Sequence, residues 1–152
     1  MKIQHMKLHG AFYNNASGDD KLADGVIKGI MDYDKDIIIL ALSGSGFAKR
    51  AKEMGARVAE EVFADRAYNE DGTLVNRRLP GAVIHDEEEA IRRIKQMVFD
   101  KEITAITGKV IPIKADSICV HGDNPEAVNF VARIRETLEK EGVEIKALRE
   151  FI

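Results

Sequence analysis

Three short segments of this chain gather residue types suited to acid–base and electrostatic chemistry. The richest, Glu61-Val62-Phe63-Ala64-Asp65-Arg66-Ala67-Tyr68, presents two carboxylates, a guanidinium and a phenol where an apolar run stops. Lys7-Leu8-His9-Gly10 and Cys119-Val120-His121-Gly122-Asp123 repeat that pattern elsewhere in the chain. A carboxylate such as Glu61 or Asp65 can take a proton from water, and Arg66 can pair with it or grip a carboxylate through two N–H groups. In a strand, Lys7 and His9 share a face, where ammonium and imidazole would support an anion or a carbonyl oxygen gathering charge. His121 and Asp123 precede a capped helix, whose first amides favour an anion. Each has a plainer reading beside it: a solvated lysine, a loop-bonded histidine, an ion-pair network that fixes a loop, or a helix cap at Asp123-Asn124.

Weaker signals accompany these. Ser43-Gly44-Ser45-Gly46 could cradle a carboxylate or phosphate, with Ser45 as the contacting hydroxyl, but it lacks the Gly-Lys-Ser/Thr ending of a nucleotide loop. Arg77 and Arg78 are candidate anion binders, and exposed loop arginines more often face water. Glu60 and Glu61 alternate across a strand, so only one of them can face a site. His9, Glu61, Asp65 and His121 are possible metal ligands. No His-x-x-x-His or cysteine pair fixes a centre, which leaves metal binding open. His5 and His85 have no partner pattern.

The elements that must position these groups follow from periodicity. Residues 3–8 predict a short strand, followed by a loop over 9–18. Asp19 or Asp20 caps a helix carrying Leu22, Val26, Ile27, Ile30 and Met31. The continuous aliphatic run Ile37 to Leu42 suits a strand covered on both faces. A helix over 47–54 ends at Gly55, and a strand runs over 57–63. The polar stretch 65–81 predicts a long loop of the kind that often carries function. Asp86-Glu87-Glu88-Glu89 has capping-box spacing before a helix with Ala90, Ile91, Ile94, Met97 and Val98. A hairpin or two short strands over 102–114 and a buried strand over 117–120 come next. Asn124 and Pro125 then open a helix with Val128, Val131, Ile134 and Leu138 on its core face, and a last strand covers 143–147. Alternation of this kind predicts parallel strands with right-handed crossovers.

Composition excludes several function classes. A chain of 152 residues suits one α/β domain spanning 1–152, and a net charge of −3 provides no basic field for nucleic acid. No apolar run reaches the roughly 18–20 residues of a membrane span, and no signal core opens the chain. The single cysteine, Cys119, falls in an apolar run and reads as a buried thiol, consistent with a cytoplasmic protein.

Lys7-x-His9-Gly10-Ala11-x-Tyr13-Asn14, the 61–68 segment with Asp71-Gly72 and Leu74-Val75, and His121-Gly122-Asp123-Asn124-Pro125 resemble the LamB/YcsF family in its own motif order. Leu8 stands where the family usually has proline, and Asn76 and Arg78 interrupt a Pro-Arg-Ser-like stretch. The family's amino-terminal motifs have no counterpart, so the chain is expected to correspond to the carboxyl-terminal part of a longer protein. The resemblance selects Glu61 over Glu60. It implies a catalytic set of Lys7, His9, Glu61, Asp65, Arg66, His121 and Asp123, with Tyr13, Asn14, Ser45, Tyr68 and Arg77 contacting substrate. It also implies a partial (β/α) barrel of mostly parallel strands with a small β-hairpin insertion, since a closed barrel needs about 250 residues. The implied activity is that of the A component of an ATP-dependent 5-oxoprolinase. That enzyme opens 5-oxo-L-proline to L-glutamate, with ATP as co-substrate and subunits B and C as partners. A complementary amino-terminal fragment and a homo-oligomer are further expected partners, because a partial barrel leaves open edges. The rival readings are a metal-dependent deacetylase or carbohydrate hydrolase, and a non-catalytic remnant or binding module.

Overall fold

A computed structural model describes residues 3–121 and 126–152. Four strands form one sheet in the order β1-β2-β3-β6: β1 (His5–Lys7), β2 (Ile38–Leu42), β3 (Arg57–Phe63) and β6 (Ser117–Cys119). β1 pairs parallel with β2, His5 opposite Ile38, and β2 pairs parallel with β3, Leu42 opposite Glu61. A separate antiparallel pair, β4 (Glu102–Thr104) and β5 (Val110–Pro112), is the expected hairpin. The helices are α1 (Ala11–Asn15), α2 (Asp20–Tyr33), α3 (Gly46–Glu53), α4 (Glu87–Lys95) and α5 (Glu126–Lys140). The parallel, helix-alternating part matches the predicted fold class, a stretch of (β/α) wall carrying a hairpin. Two compact units divide the chain, Met1–Glu61 with Ala147–Ile152, and Val62–Lys146.

In the first unit, every residue of β2 is buried, as its aliphatic run requires. Ile38, Leu40, Ala59 and Leu148 form a core cluster with Ile152 packed against it. α2 buries Ala23, Ile27 and Ile30 and packs on α3, and the Asp19 carboxylate accepts the Leu22 amide at 3.1 Å as its cap. Ser45 caps α3 in the same way, accepting from the Ala48 amide at 3.1 Å. Gly46 is needed here for space, because a Cβ would come within 2.9 Å of the Ser17 carbonyl oxygen. Arg50 clamps Asp24 of α2 through two N–H groups, at 2.5 and 2.9 Å.

In the second unit, α4 begins at Asp86, whose carboxylate accepts the Glu89 amide at 2.8 Å. The capping box is one-sided: the Glu89 carboxylate turns to Arg92 instead, at 2.7 and 2.8 Å. α4 passes directly into a π-helical turn, Gln96–Asp100, and stops at Lys101, which adopts a left-handed φ of 58°.

Several expectations are corrected. Residues 11–15 form helix α1, which buries Tyr13, where a loop was expected. β6 and Cys119 are half-buried and not fully enclosed. The core stripe of α5 is Phe130, Ile134 and Leu138, at i, i+4 and i+8, which turns Val128 (74% exposed) and Val131 (48%) outward. No strand forms over 143–147. Gly142 at φ 90° ends α5 with the Val143 amide on the Leu138 carbonyl, and the segment runs irregularly to a 3₁₀ turn at Leu148–Glu150. The expected Asn124 cap and Pro125 lie outside the described residues.

Candidate functional site

Alternation along β3 sends its two adjacent glutamates to opposite faces, each to a different partner set. Glu61, 3% exposed, accepts from the Lys7 ammonium at 2.6 Å and from the Tyr13 hydroxyl at 3.2 Å, both on Oε2. Lys7 also lies 5.5 Å from the centroid of the Tyr13 ring. The Lys7–Glu61–Tyr13 cluster therefore joins the end of β1, β3 and α1 within the first unit. His9 follows β1 by two residues and is exposed, as is Asn14 on α1.

Glu60, 7% exposed, accepts from Ser43 Oγ at 3.1 Å, from the Gly44 amide at 2.9 Å and from Lys52. Burial alone would raise its carboxyl, but the Lys52 ammonium and the Gly44 amide outweigh that and hold it below the ordinary carboxylate range. The Ser43–Gly46 turn is thus an anion-binding loop whose anion is the chain's own Glu60. Ser45, expected to contact substrate, spends its hydroxyl on the cap of α3.

In the second unit, the segment after β3 carries Asp65. Its Oδ2 lies 2.7 Å from Nδ1 of His121, which follows β6 by two residues. The His121 ring also stacks on Phe63, with centroids 5.9 Å apart and planes at 28°. On its other side, Nε2 is 2.9 Å from Nη2 of Arg77. A guanidinium has no acceptor, so Nε2 must accept, and the ring proton is assigned to Nδ1, donating to Asp65. Asp65, His121 and Arg77 then form one directed chain of hydrogen bonds, leaving the imidazole neutral. Oδ1 of Asp65 is buried with no hydrogen-bond partner among the described residues.

Two expected site residues serve the long loop. Arg66, 6% exposed, donates to the Val75 carbonyl at 2.6 Å and the Ala82 carbonyl at 3.4 Å. Burial, then the nearby Arg77 charge, lowers its pKa from the usual arginine value. It thereby ties two stretches of the loop's backbone together. Tyr68 is fully buried, and its hydroxyl accepts the Phe63 amide at 2.9 Å, so it supports β3 from behind. Asp123 lies outside the described residues. Among those residues, no three His, Cys, Asp or Glu side chains converge as a metal centre would require.

The sequence placed His121 and Asp65 among the candidates but did not join them. The signal was the parallel alternation, which makes β3 and β6 neighbours across the helix and hairpin between them. Phe63, the stacking partner, and Lys52, the partner of Glu60, carried no local signal.

Comparison with known proteins finds relatives along the whole chain. A model of the LamB/YcsF family matches residues 1–152. A protein of Fusobacterium nucleatum, named as the A component of 5-oxoprolinase, is 60% identical over 151 residues, covering 99% of this chain and 59% of its own length. Proteins of the same name from Campylobacter jejuni and Pyrococcus horikoshii are each 55% identical, covering 100% of this chain and 60% of theirs. The crystal structure of a lactam utilization protein from Thermus thermophilus superposes with a TM-score of 0.87 at 35% identity, over 97% of this chain and 58% of that one. The chain thus spans about three fifths of the relatives it matches. With its whole length matched by the family model, and relatives sharing more than half of its residues, the chain belongs to the LamB/YcsF family.

Proposed function

We propose that this chain is the carboxyl-terminal part of the A component of an ATP-dependent 5-oxoprolinase, acting with subunits B and C to open 5-oxo-L-proline to L-glutamate. The observation that carries the reading is the Asp65–His121 pair. It holds an imidazole in one orientation, with the proton on Nδ1 and a lone pair on Nε2. Lactam opening needs such a group. A base takes a proton from water, the water oxygen bonds to the lactam carbonyl carbon, the carbon–nitrogen bond breaks, and the ring nitrogen leaves with a proton. Lys7, positioned by Glu61 in the first unit, is a second group that we assign to the activity. The names of the relatives support the choice of a cyclic amide acid over other carbonyl substrates.

An unstrained five-membered lactam resists hydrolysis, which is the chemical reason for coupling to ATP. The Ser43–Gly46 turn already holds Glu60, so we assign the nucleotide to the partner components. Among the described residues no helix is long and apolar enough to cross a membrane. The need for ATP places the proposed reaction in the cytoplasm.

The test is reconstitution with subunits B and C and the segment that completes the family's length, followed by glutamate formation with and without ATP. His121→Ala and Lys7→Ala should each lower turnover on the order of 10²–10⁴-fold. Binding of 5-oxo-L-proline without turnover in that assembly would make the chain a binding module instead.

A further inference from the structure

Resting on the lactam-acid reading above, we propose that Arg77 is a carboxylate-operated cap on His121. It covers Nε2 in the free protein and exposes it when the guanidinium takes up the carboxylate of a small lactam acid. Three observations meet at this point. First, the bond between Arg77 Nη2 and His121 Nε2, at 2.9 Å, occupies the one lone pair the imidazole has for accepting a proton. As it stands, the ring is held by Asp65 but blocked. Second, Arg77 sits on the exposed loop that follows the Tyr68–Leu74 bridge, and the rest of its N–H fork makes no hydrogen bond to a described residue. Third, its partner is a neutral acceptor. A carboxylate offers the guanidinium an opposite charge and two parallel N–H···O bonds, where the imidazole offers one neutral acceptor. Nη2 belongs to both N–H pairs with which a guanidinium grips a carboxylate, so a bound carboxylate competes with the imidazole for it.

The surroundings favour an anion there. Arg66 lies near enough for the two like charges to disfavour each other, and Arg66 is bonded to backbone carbonyls, which leaves Arg77 as the exposed member of the pair. Asp65 is engaged at Nδ1 on the other side of the ring. It is a positioning residue: it sets which nitrogen carries the proton. The device would let water meet the base only when a carboxylate-bearing ligand is present.

Nitrogen-15 NMR of the chain labelled at its four histidines tests this, with His121→Gln identifying the signal. The free chain should show Nδ1 protonated and Nε2 bare. Adding 5-oxo-L-proline or acetate should shift Nε2, whereas 2-pyrrolidinone, the same ring without the carboxylate, should not. Arg77→Ala should give the shifted Nε2 signal without ligand and respond to neither carboxylate. With Arg77 replaced by alanine, Asp65→Ala should lose the single tautomer, and Asp65→Asn, which keeps an accepting oxygen, should retain it. A protonated Nε2 in the free chain would overturn the cap, as would an equal response to 2-pyrrolidinone or no response to any carboxylate. A response to acetate but not to 5-oxo-L-proline would uphold the cap and remove the lactam reading. Wild-type turnover by Arg77→Ala in the reconstituted enzyme would remove the cap and leave the lactam reading intact.

Discussion

Glu60 and Glu61 are neighbours on β3 with opposite fates: Glu60 is bound to Lys52 and the Ser43–Gly44 backbone turn, Glu61 to Lys7 and Tyr13. One braces the loop after β2; the other ties the end of β1 and helix α1 to β3. Single substitutions should separate the two roles. Glu60→Gln removes the charge behind the amide and ammonium contacts and should cost about 1–3 kcal/mol of stability, measured by denaturant unfolding. Glu61→Gln should instead depress reconstituted turnover on the order of 10²–10⁴-fold. Equal stability of Glu60→Gln and the parent would refute the brace.

Acid should abolish the difference between Glu60→Gln and the parent. The Glu60 carboxyl is held below its ordinary value of 4.5 in the folded chain, chiefly against burial and by Lys52, so the folded state binds its proton less readily than the unfolded state. That contribution is fully present above about pH 4.5 and is lost as pH falls through the lower folded value. Thermal midpoints of the two proteins, followed from neutral pH downward, should therefore converge. A gap that widens in acid would reverse the assignment.

Tyr68→Phe tests the support behind β3. Its hydroxyl accepts from the buried Phe63 amide, and the substitution removes that bond. The expected cost is about 1–3 kcal/mol in chemical denaturation. The substitution should leave acetate binding at Arg77 unchanged, because it touches the loop from within and not the guanidinium.

The chain by itself should form no glutamate from 5-oxo-L-proline, with or without ATP. In the reconstituted enzyme, His9→Ala should reduce turnover far more than His85→Ala, since His9 follows a strand that ends in Lys7 and exposed His85 has no such context. Comparable losses from both, or robust activity of the isolated chain without ATP, would contradict the proposal. Circular dichroism on each variant separates lost chemistry from lost folding.

Much of this fold was legible in the residues. The aliphatic run of β2, the Asp19 and Asp86 caps and the full span of β3 were all local signals, and local signals are what periodicity reads. Where the outcome depended on partners distant in sequence, the reading failed. Val143 and Ile145 alternate like a strand, but no ladder forms there. Val128 and Val131 share the apolar character of Phe130, and only packing decides which stripe of α5 turns inward. The site divides in the same way. Glu61 and His121 stand out because apolar strands stop near them. Arg66 and Tyr68 look identical in kind, yet both are buried, Arg66 on loop carbonyls and Tyr68 on the Phe63 amide of β3. The bond between Arg77 and His121 links positions on separate loops, and no spacing rule reaches across them.

Glu60 can also be regarded as a tethered ligand, a carboxylate that the chain supplies to its own receptor. The receptor outlasts the tether. Shortening the side chain in Glu60→Ala would leave the Gly44 amide, the Ser43 hydroxyl and the Lys52 ammonium arranged around a space the size of a small carboxylate. Added formate should then raise the thermal midpoint of Glu60→Ala while leaving the parent unmoved, since a ligand stabilises only the form that has room to bind it. A half-buried ion pair of this kind is thus a dormant binding site, opened by deleting one carboxylate.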